Sequence, residues 1–249
     1  MGFDFKYFLG LFSQLIPYIP ITLLMAVSAM ILAVVLGGII TLLQSSPIKP
    51  LNWFAAFYIS LFRGMPTLVQ LFIIYYGLPQ LFPALRGFPA LAAAILGLGF
   101  KQSSYLAEIF RAAVSSVDQG QVEAGHSLNI KTSKLFFHVI LPQATVNALP
   151  ATGNTFVSLL KETSLAFALG LTELFANGKM IAGASFKYFE TYLAVGVIYW
   201  VLIIIYTWLQ SILEKALQKP YRRVDHVINR SEESISEDRA QASAEPYQS

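Results

Sequence analysis

Five ionisable side chains interrupt stretches that are otherwise strongly apolar: Arg63, Lys101, Glu108, Lys161 and Glu162. In such surroundings a charge is costly unless it is paired, lines a hydrated space or serves a function. Lys161 and Glu162 place both signs on adjacent positions. That is what a zwitterion requires, a cation for its carboxylate and a carboxylate for its ammonium, each through a charge-assisted hydrogen bond. Other chemistries lack their residues. There is no Cys, so thiolate metal sites and disulfides are excluded. His126, His138 and His226 lie in polar segments without ligand spacing, which suits surface or packing roles. HExxH, GxSxG and the phosphate-binding GxxxxGK[ST] are absent. The single "GK", Gly178-Lys179, is followed by Met180, so any ATP is hydrolysed by another chain.

The charged residues carry polar neighbours at helical spacing. At 100° per residue, Lys101, Ser104, Tyr105 and Glu108 fall within about 100° of one another. Asn154, Thr155, Ser158, Lys161 and Glu162 fall within about 120°, with Phe156, Leu159, Leu160 and Phe167 on the other side. Arg63, Thr67 and Gln70 align in the same way beside Pro66, a kink point. Three polar stripes on three consecutive elements predict a shared hydrated interior. Two structural readings use the same residues: mutual ion pairs that fix helix register, and snorkelling of Arg63 and Lys101 towards an interface.

The elements that must hold these stripes are membrane helices. Only 12% of the 249 residues are charged and 55% are hydrophobic, where a soluble domain carries about 25% charge. Spanning a bilayer takes roughly 20 apolar residues, and five segments reach that length: Ile19 to Leu43, Trp53 to Phe82, Ala90 to Ile109, Leu149 to Leu171 and Thr191 to Leu213. The fold expected is therefore an all-α integral membrane protein with five transmembrane helices in residues 17–217. Residues 1–16 read as an amphipathic interfacial segment and not a cleaved signal, lacking a basic start and a small-residue cleavage site. Residues 218–249, "SEESISEDRAQASAEPYQS" included, lack the apolar content of a core and read as a largely disordered tail. An outside N-terminus puts ten Lys and Arg residues on the inner side and four on the outer. That asymmetry predicts an N-out, C-in chain in the cytoplasmic membrane. A net charge of +3 offers no footprint for nucleic acid.

Between the third and fourth spans lies a polar loop, 115–145, that a mere connection would not need. Asp118 stands where an N-cap belongs, ahead of helical propensity over 120–128. Asn129 tolerates the left-handed conformation that ends helices. Thr132 is placed to cap a second helix with Leu135, Phe136, Val139 and Ile140 on one face, and Pro142 to break it. The prediction is a cytoplasmic helix–turn–helix with one apolar face, which would equally serve as an interfacial hairpin covering the bundle.

The stretch "EAGHSLNIKTSKLFFHVILPQA" resembles the EAA signature of bacterial ABC importer permeases. Glu123 and Ala124 match it, Gly125 takes its third position, Asn129 replaces its glycine, and Leu141-Pro142 closes it. The substitution of Asn for Gly is mild because both residues accept a left-handed turn. "FRGMPTLVQLFIIYYGLP", "SSYLAEIFRAAVSSVDQGQVEA" and "LPATGNTFVSLLKETSLA" resemble the polar amino acid branch, so the likeness runs from about Ile19 to Arg223. The resemblance implies a non-enzymatic permease subunit that binds no cofactor itself. Its partners would be a second permease, two cytoplasmic ATPase subunits that use ATP and Mg, and an extracellular substrate-binding protein. It implies ATPase coupling through Glu123, Ala124, Gly125, Asn129, Leu141 and Pro142. It implies substrate binding by Gln102, Tyr105, Lys161, Glu162 and Thr163, with Arg63, Gln70, Lys101 and Ser158 along the path. Among polar amino acids, "SSYLAEIF" and "SFKYFETYLAVGVIYW" lean towards L-cystine, with a basic amino acid or glutamine open. A secondary transporter or channel for a small polar solute would explain the stripes but not the long loop.

Overall fold

Every regular element among the described residues is helical. A computed structural model describes the backbone of residues 2–244 and the side chains of residues 2–217. Of the tail expected to be largely disordered, 218–249, the backbone is helical as far as Ala244, while its side chains and residues 245–249 lie outside that description. The chain divides into two units, Met1–Thr207 and Trp208–Ser249, and the first contains the features that bear on function.

Helix α1 (Phe5–Leu15) starts at Asp4, whose carboxylate accepts from the Tyr7 amide at 3.0 Å, and runs through a tight turn into α2 (Ile19–Gln44). Together they form a 40-residue apolar helix, Phe5–Gln44. The amphipathic lead-in is therefore helical, but Leu11 and Leu15 on it are fully buried by protein, against Leu174, Ala194, Val195 and Ile198. Asp4 also pairs with Lys187, Oδ2 to Nζ 2.5 Å. That hydrogen bond and the one from Tyr7 hold the Asp4 carboxyl below its usual range, and the same contact raises the Lys187 ammonium.

The tightest packing joins α2 to α6 (Ala90–Ser115). Ala29, Ala33 and Gly37 recur every fourth residue on α2 and are buried. A Cβ on Gly37 would lie 2.9 Å from Leu106 Cβ and 3.2 Å from the Ser103 carbonyl oxygen. One on Gly99 of α6 would lie 2.6 Å from Leu32 Cδ2. Small residues let two membrane helices approach at backbone distance, where dispersion replaces a hydrophobic driving force that lipid cannot supply. Thr41 Oγ1 adds a polar tie, 3.0 Å from the Ala107 carbonyl.

The predicted second span is not one helix. Residues from Lys49 to Gly64 form α3, and Thr67–Phe72 form α4; a π-type turn (Ile73–Gly77) continues into α5 (Leu78–Leu81). The two halves meet at 110°. Pro66 causes the break: it excludes helical backbone at Met65, which is extended at ψ 135°. The predicted fourth span is also altered. Short α8 (Thr132–Leu135), a π-type turn (Phe136–Ile140) and α9 (Leu141–Glu162) form one continuous helix. Pro142 does not break it as expected. It sits in the first turn of α9, and the wider π-turn has the Leu141 amide bonded to the Phe136 carbonyl just ahead of it. Thr132 does not cap it either, because the N-cap position falls on Lys131.

Past α9, a 3₁₀ stretch (Thr163–Leu169) ends at Gly170, left-handed at φ 79°. A helix the sequence reading missed, α10 (Leu174–Ser185), follows at 56°. Glu173, fully buried, caps it by accepting from the amides of Phe175 and Ala176 at 3.0 and 2.7 Å. Helix α11 (Tyr188–Ala244) closes the described chain. Two described helices are long and apolar enough to cross a bilayer alone, Phe5–Gln44 and Tyr188–Leu217, and there are up to four spans if each bent pair counts as one. The five uniform spans expected are thus coarser than the fold. Helix α6 has the length, 26 residues, but Lys101, Gln102, Glu108 and Arg111 lower its apolar character, and it is sheltered among other helices.

Candidate functional site in the helix bundle

Where α4, α6 and α9 converge, the predicted stripes meet. Lys101 Nζ lies 2.5 Å from Glu162 Oε1 and donates to Thr67 Oγ1 at 2.6 Å. Gln102 Nε2 donates to the other oxygen of the same carboxylate at 3.0 Å. Each element supplies its part for a local reason. Pro66 starts α4 so that Thr67 lies in its first turn, and Lys101 and Gln102 occupy successive positions on α6. Glu162 is the last residue of α9 before the backbone tightens into the 3₁₀ stretch.

Lys101, Gln102 and Glu162 border a cavity of about 310 Å³, whose lining also includes Tyr105, Asn154, Thr155 and Ser158. The pair is sheltered but not sealed, with side chains 13% and 25% exposed. Arg63 stacks over the Tyr105 ring, its guanidinium carbon 5.2 Å from the centroid, a cation–π arrangement. One carboxylate, one cation, two carboxamides and three hydroxyls around one space, with Arg63 behind Tyr105, can accommodate a small zwitterion, at the cost of exchanging the internal ion pair.

The loop between α6 and α9 is the second candidate surface. Helix α7 (Gln119–Ser127) is capped by Asp118, which accepts from the Gly120 amide at 2.7 Å. It ends at Asn129, left-handed at φ 56°. The Asn129 amide donates to His126 and the Ile130 amide to Gly125, so the orphan carbonyls of the last turn are satisfied. Gly125 is buried against α8: a Cβ there would meet Leu135 Cδ1 at 2.7 Å. Gln143 Nε2 ties the elbow to α7 through Gln121 Oε1 at 2.7 Å. The outer surface keeps Glu123 and Ala124 exposed, with Leu128 75% and Ile130 39% exposed. Apolar side chains so displayed mark an interaction surface.

The pattern that defines the family described as "Binding-protein-dependent transport system inner membrane component" matches residues 33–219, which include both the cavity and the elbow. The chain belongs to this family. Curated relatives agree. The probable amino-acid permease protein YxeN of Bacillus subtilis (strain 168) is 56% identical over 219 residues, 88% of this chain and 98% of the relative. The probable amino-acid ABC transporter permease protein PatM of Vibrio harveyi is 43% identical, covering 90% of this chain and all of the relative. A solved structure, "Crystal structure of an amino acid ABC transporter with histidines", superposes with a TM-score of 0.79 at 36% identity, covering 87% of this chain and 100% of the other. The protein is a multi-pass membrane permease of the amino acid ABC transporter class.

In this permease the sequence-predicted site residues are not all brought together. Gln102, Tyr105, Lys101, Ser158 and Glu162 line the cavity, and Arg63 stands on Tyr105. Lys161 does not share it. It faces a separate cavity of about 550 Å³ with Ser164, Phe175, Tyr192 and Tyr199. Adjacent residues on a helix diverge by about 100°, so Lys101 and not Lys161 partners Glu162. Thr163 is fully buried, its hydroxyl donating to the Leu160 carbonyl at 2.7 Å. Gln70 is 3% exposed and donates to the Gly97 carbonyl at 2.6 Å, fastening α4 to α6 without bordering the cavity. Thr67, Asn154 and Thr155, left off the predicted binding list, belong to the arrangement; their places in the polar stripes were the available signal.

Proposed function

We propose that this chain is the transmembrane permease subunit of an ATP-driven importer, and that the cavity at Lys101 and Glu162 recognises a polar amino acid in transit. The observation that carries the reading is the lone carboxylate of Glu162, held by Lys101 and Gln102 beside an open polar space. A zwitterion entering this space exchanges the pair: its carboxylate takes Lys101 and its ammonium takes Glu162, so neither buried charge is left unpaired. Glu123, Ala124, Gly125, Asn129, Leu141 and Pro142 form the elbow that docks a cytoplasmic ATPase, which supplies ATP and Mg chemistry. The working assembly pairs two permeases with two ATPases and an external binding protein. Alternating access then turns the cavity first outward and then inward. Five crossings, with the N-terminus outside and the elbow inside, satisfy the lysine and arginine asymmetry. Within this scheme α3 with α4–α5, and α6, complete the count that α2, α9 and α11 begin.

Reconstitution tests this reading. Proteoliposomes holding the permease, its ATPase and its binding protein are supplied with labelled L-cystine first, then arginine and glutamine. Uptake should require ATP and binding protein together, and Gly125→Trp should abolish it while the protein stays inserted. Uptake without either component would instead assign a secondary transporter or channel.

A further inference from the structure

A second concave space lies on another side of α6. About 510 Å³ in volume, it runs between Gly38 and Leu42 of α2, Phe110 and Val114 of α6, and Phe137 and Leu141 of the elbow. Around α6, the mean direction of Phe110, Ala113 and Val114 lies about 120° from that of Lys101, Gln102 and Tyr105. It is therefore no part of the polar cavity. None of its lining residues is ionisable. The hydroxyls of Thr41 and Thr145 at its wall each donate to a carbonyl of their own helix, Gly37 and Leu141, at 2.8 Å. Apart from the Thr152 hydroxyl, the groove thus offers an occupant shape and dispersion.

We propose that it holds one acyl chain of a bilayer lipid, wedged between α2 and the elbow. Three observations favour hydrocarbon. The wall formed by α2 belongs to the most apolar candidate span, mean hydropathy 2.7. Neighbouring outward residues Ile31, Val35 and Ile39 are 61%, 55% and 46% exposed, so the mouth is continuous with a lipid-facing surface. The rim is unsuited to a helix from a second copy. Close helix association in a membrane needs small residues or cross-helix hydrogen bonds at the contact, whereas the small Ala113, Ala144 and Ala148 lie buried on the floor of the groove and the exposed Val34, Leu42 and Phe137 are bulky. An unfilled groove would forfeit dispersion contacts on all its walls, and a flexible chain is the body in the bilayer that can follow its shape. The proposal rests on the membrane reading of α2 and is independent of cargo and of the ATPase. Its consequence is that lipid bridges α2 to Phe136, Phe137 and Leu141, residues of the coupling elbow.

Gly38 makes the test direct, because a Cβ there meets nothing within 4 Å. Gly38→Phe should fill the groove from the α2 side. In native mass spectrometry of the purified assembly, we expect one retained lipid fewer per permease chain in Gly38→Phe than in Gly38→Ala. Equal retention overturns the proposal. Dissociation of the permease pair in Gly38→Phe also overturns it and assigns the groove to a second copy. A probe that leaves the groove open covers the case of poor folding. In a chain whose Trp53, Trp200 and Trp208 are replaced by Phe, Leu42→Trp should stay quenched by brominated acyl chains after transfer into detergent. Val35→Trp on the open face should recover. Recovery of both rejects a held chain.

Discussion

In the proposed function recognition turns on the carboxylate of Glu162, which is also half of a sheltered ion pair. Glu162→Gln removes the partner of Lys101 and leaves a poorly solvated cation. Removing one member of a fully buried pair costs about 3–5 kcal/mol, and the partial exposure here places this loss below that range. If Glu162 takes the substrate ammonium as proposed, the same change also removes one charge-assisted contact, worth about 1.5–3 kcal/mol or roughly ten- to hundredfold in affinity. A double variant separates the two roles. Lys101→Gln with Glu162→Gln restores charge neutrality, so melting temperature should recover while uptake stays impaired. Full recovery of uptake would reduce the pair to a helix-register device.

At the scale of elements, the α2–α6 seam and the α1–α11 corner make opposite demands on the medium. The seam is a matter of volume. Gly37→Ala puts a methyl against the Leu106 Cβ and the Ser103 carbonyl, a contact the helices relieve only by separating. We expect a loss of about 1–3 kcal/mol, the usual cost of overpacking. Gly38→Ala, one residue on, meets nothing and should be neutral or gain up to about 1 kcal/mol from helix propensity; thermal unfolding of the two in one detergent checks the contrast. The corner is a matter of charge. Asp4 has its carboxyl pKa lowered from 3.8 by Lys187 and by the Tyr7 amide. Its contribution is therefore present above that value and lost as pH falls through the depressed one. Lys187 is raised from 10.5 by Asp4, so its share is present below that value and lost as pH rises through the higher one. Amide exchange at the start of α1 should stay slow between these limits and accelerate in strong acid, and Asp4→Asn should abolish the acid step.

For the whole molecule the open quantity is orientation, and the absence of Cys makes it measurable with single introduced thiols. Ser133 on the elbow and Ala184 near the end of α10 are both exposed. With the elbow inside, a cysteine at Ser133 should react with impermeant maleimide only in inverted vesicles, and one at Ala184 only in right-side-out vesicles. Reversed labelling would move the elbow to the outer face and separate it from any cytoplasmic ATPase.

Helical periodicity determined much of this protein in advance. Three stripes with a 100° step placed Lys101, Tyr105, Ser158 and Glu162 on facing surfaces, and local chemistry placed the Asp118 cap and the left-handed Asn129. These features depend on neighbours a few residues away, which a single sequence contains. The small-residue row Ala29, Ala33, Gly37 went unread, because only contact with α6 gives it meaning. What tertiary structure decided was pairing and direction. Nothing local tells Glu162 to face Lys101 across α6 and α9 while Lys161 turns to another cavity. A proline reports that helical bonding is interrupted but not the outcome. Pro66 folds the chain back by 110° because no compensating turn precedes it, whereas a π-turn ahead of Pro142 absorbs the defect and lets the helix continue. Both outcomes depend on what packs around the proline, and that is a property of the assembled bundle.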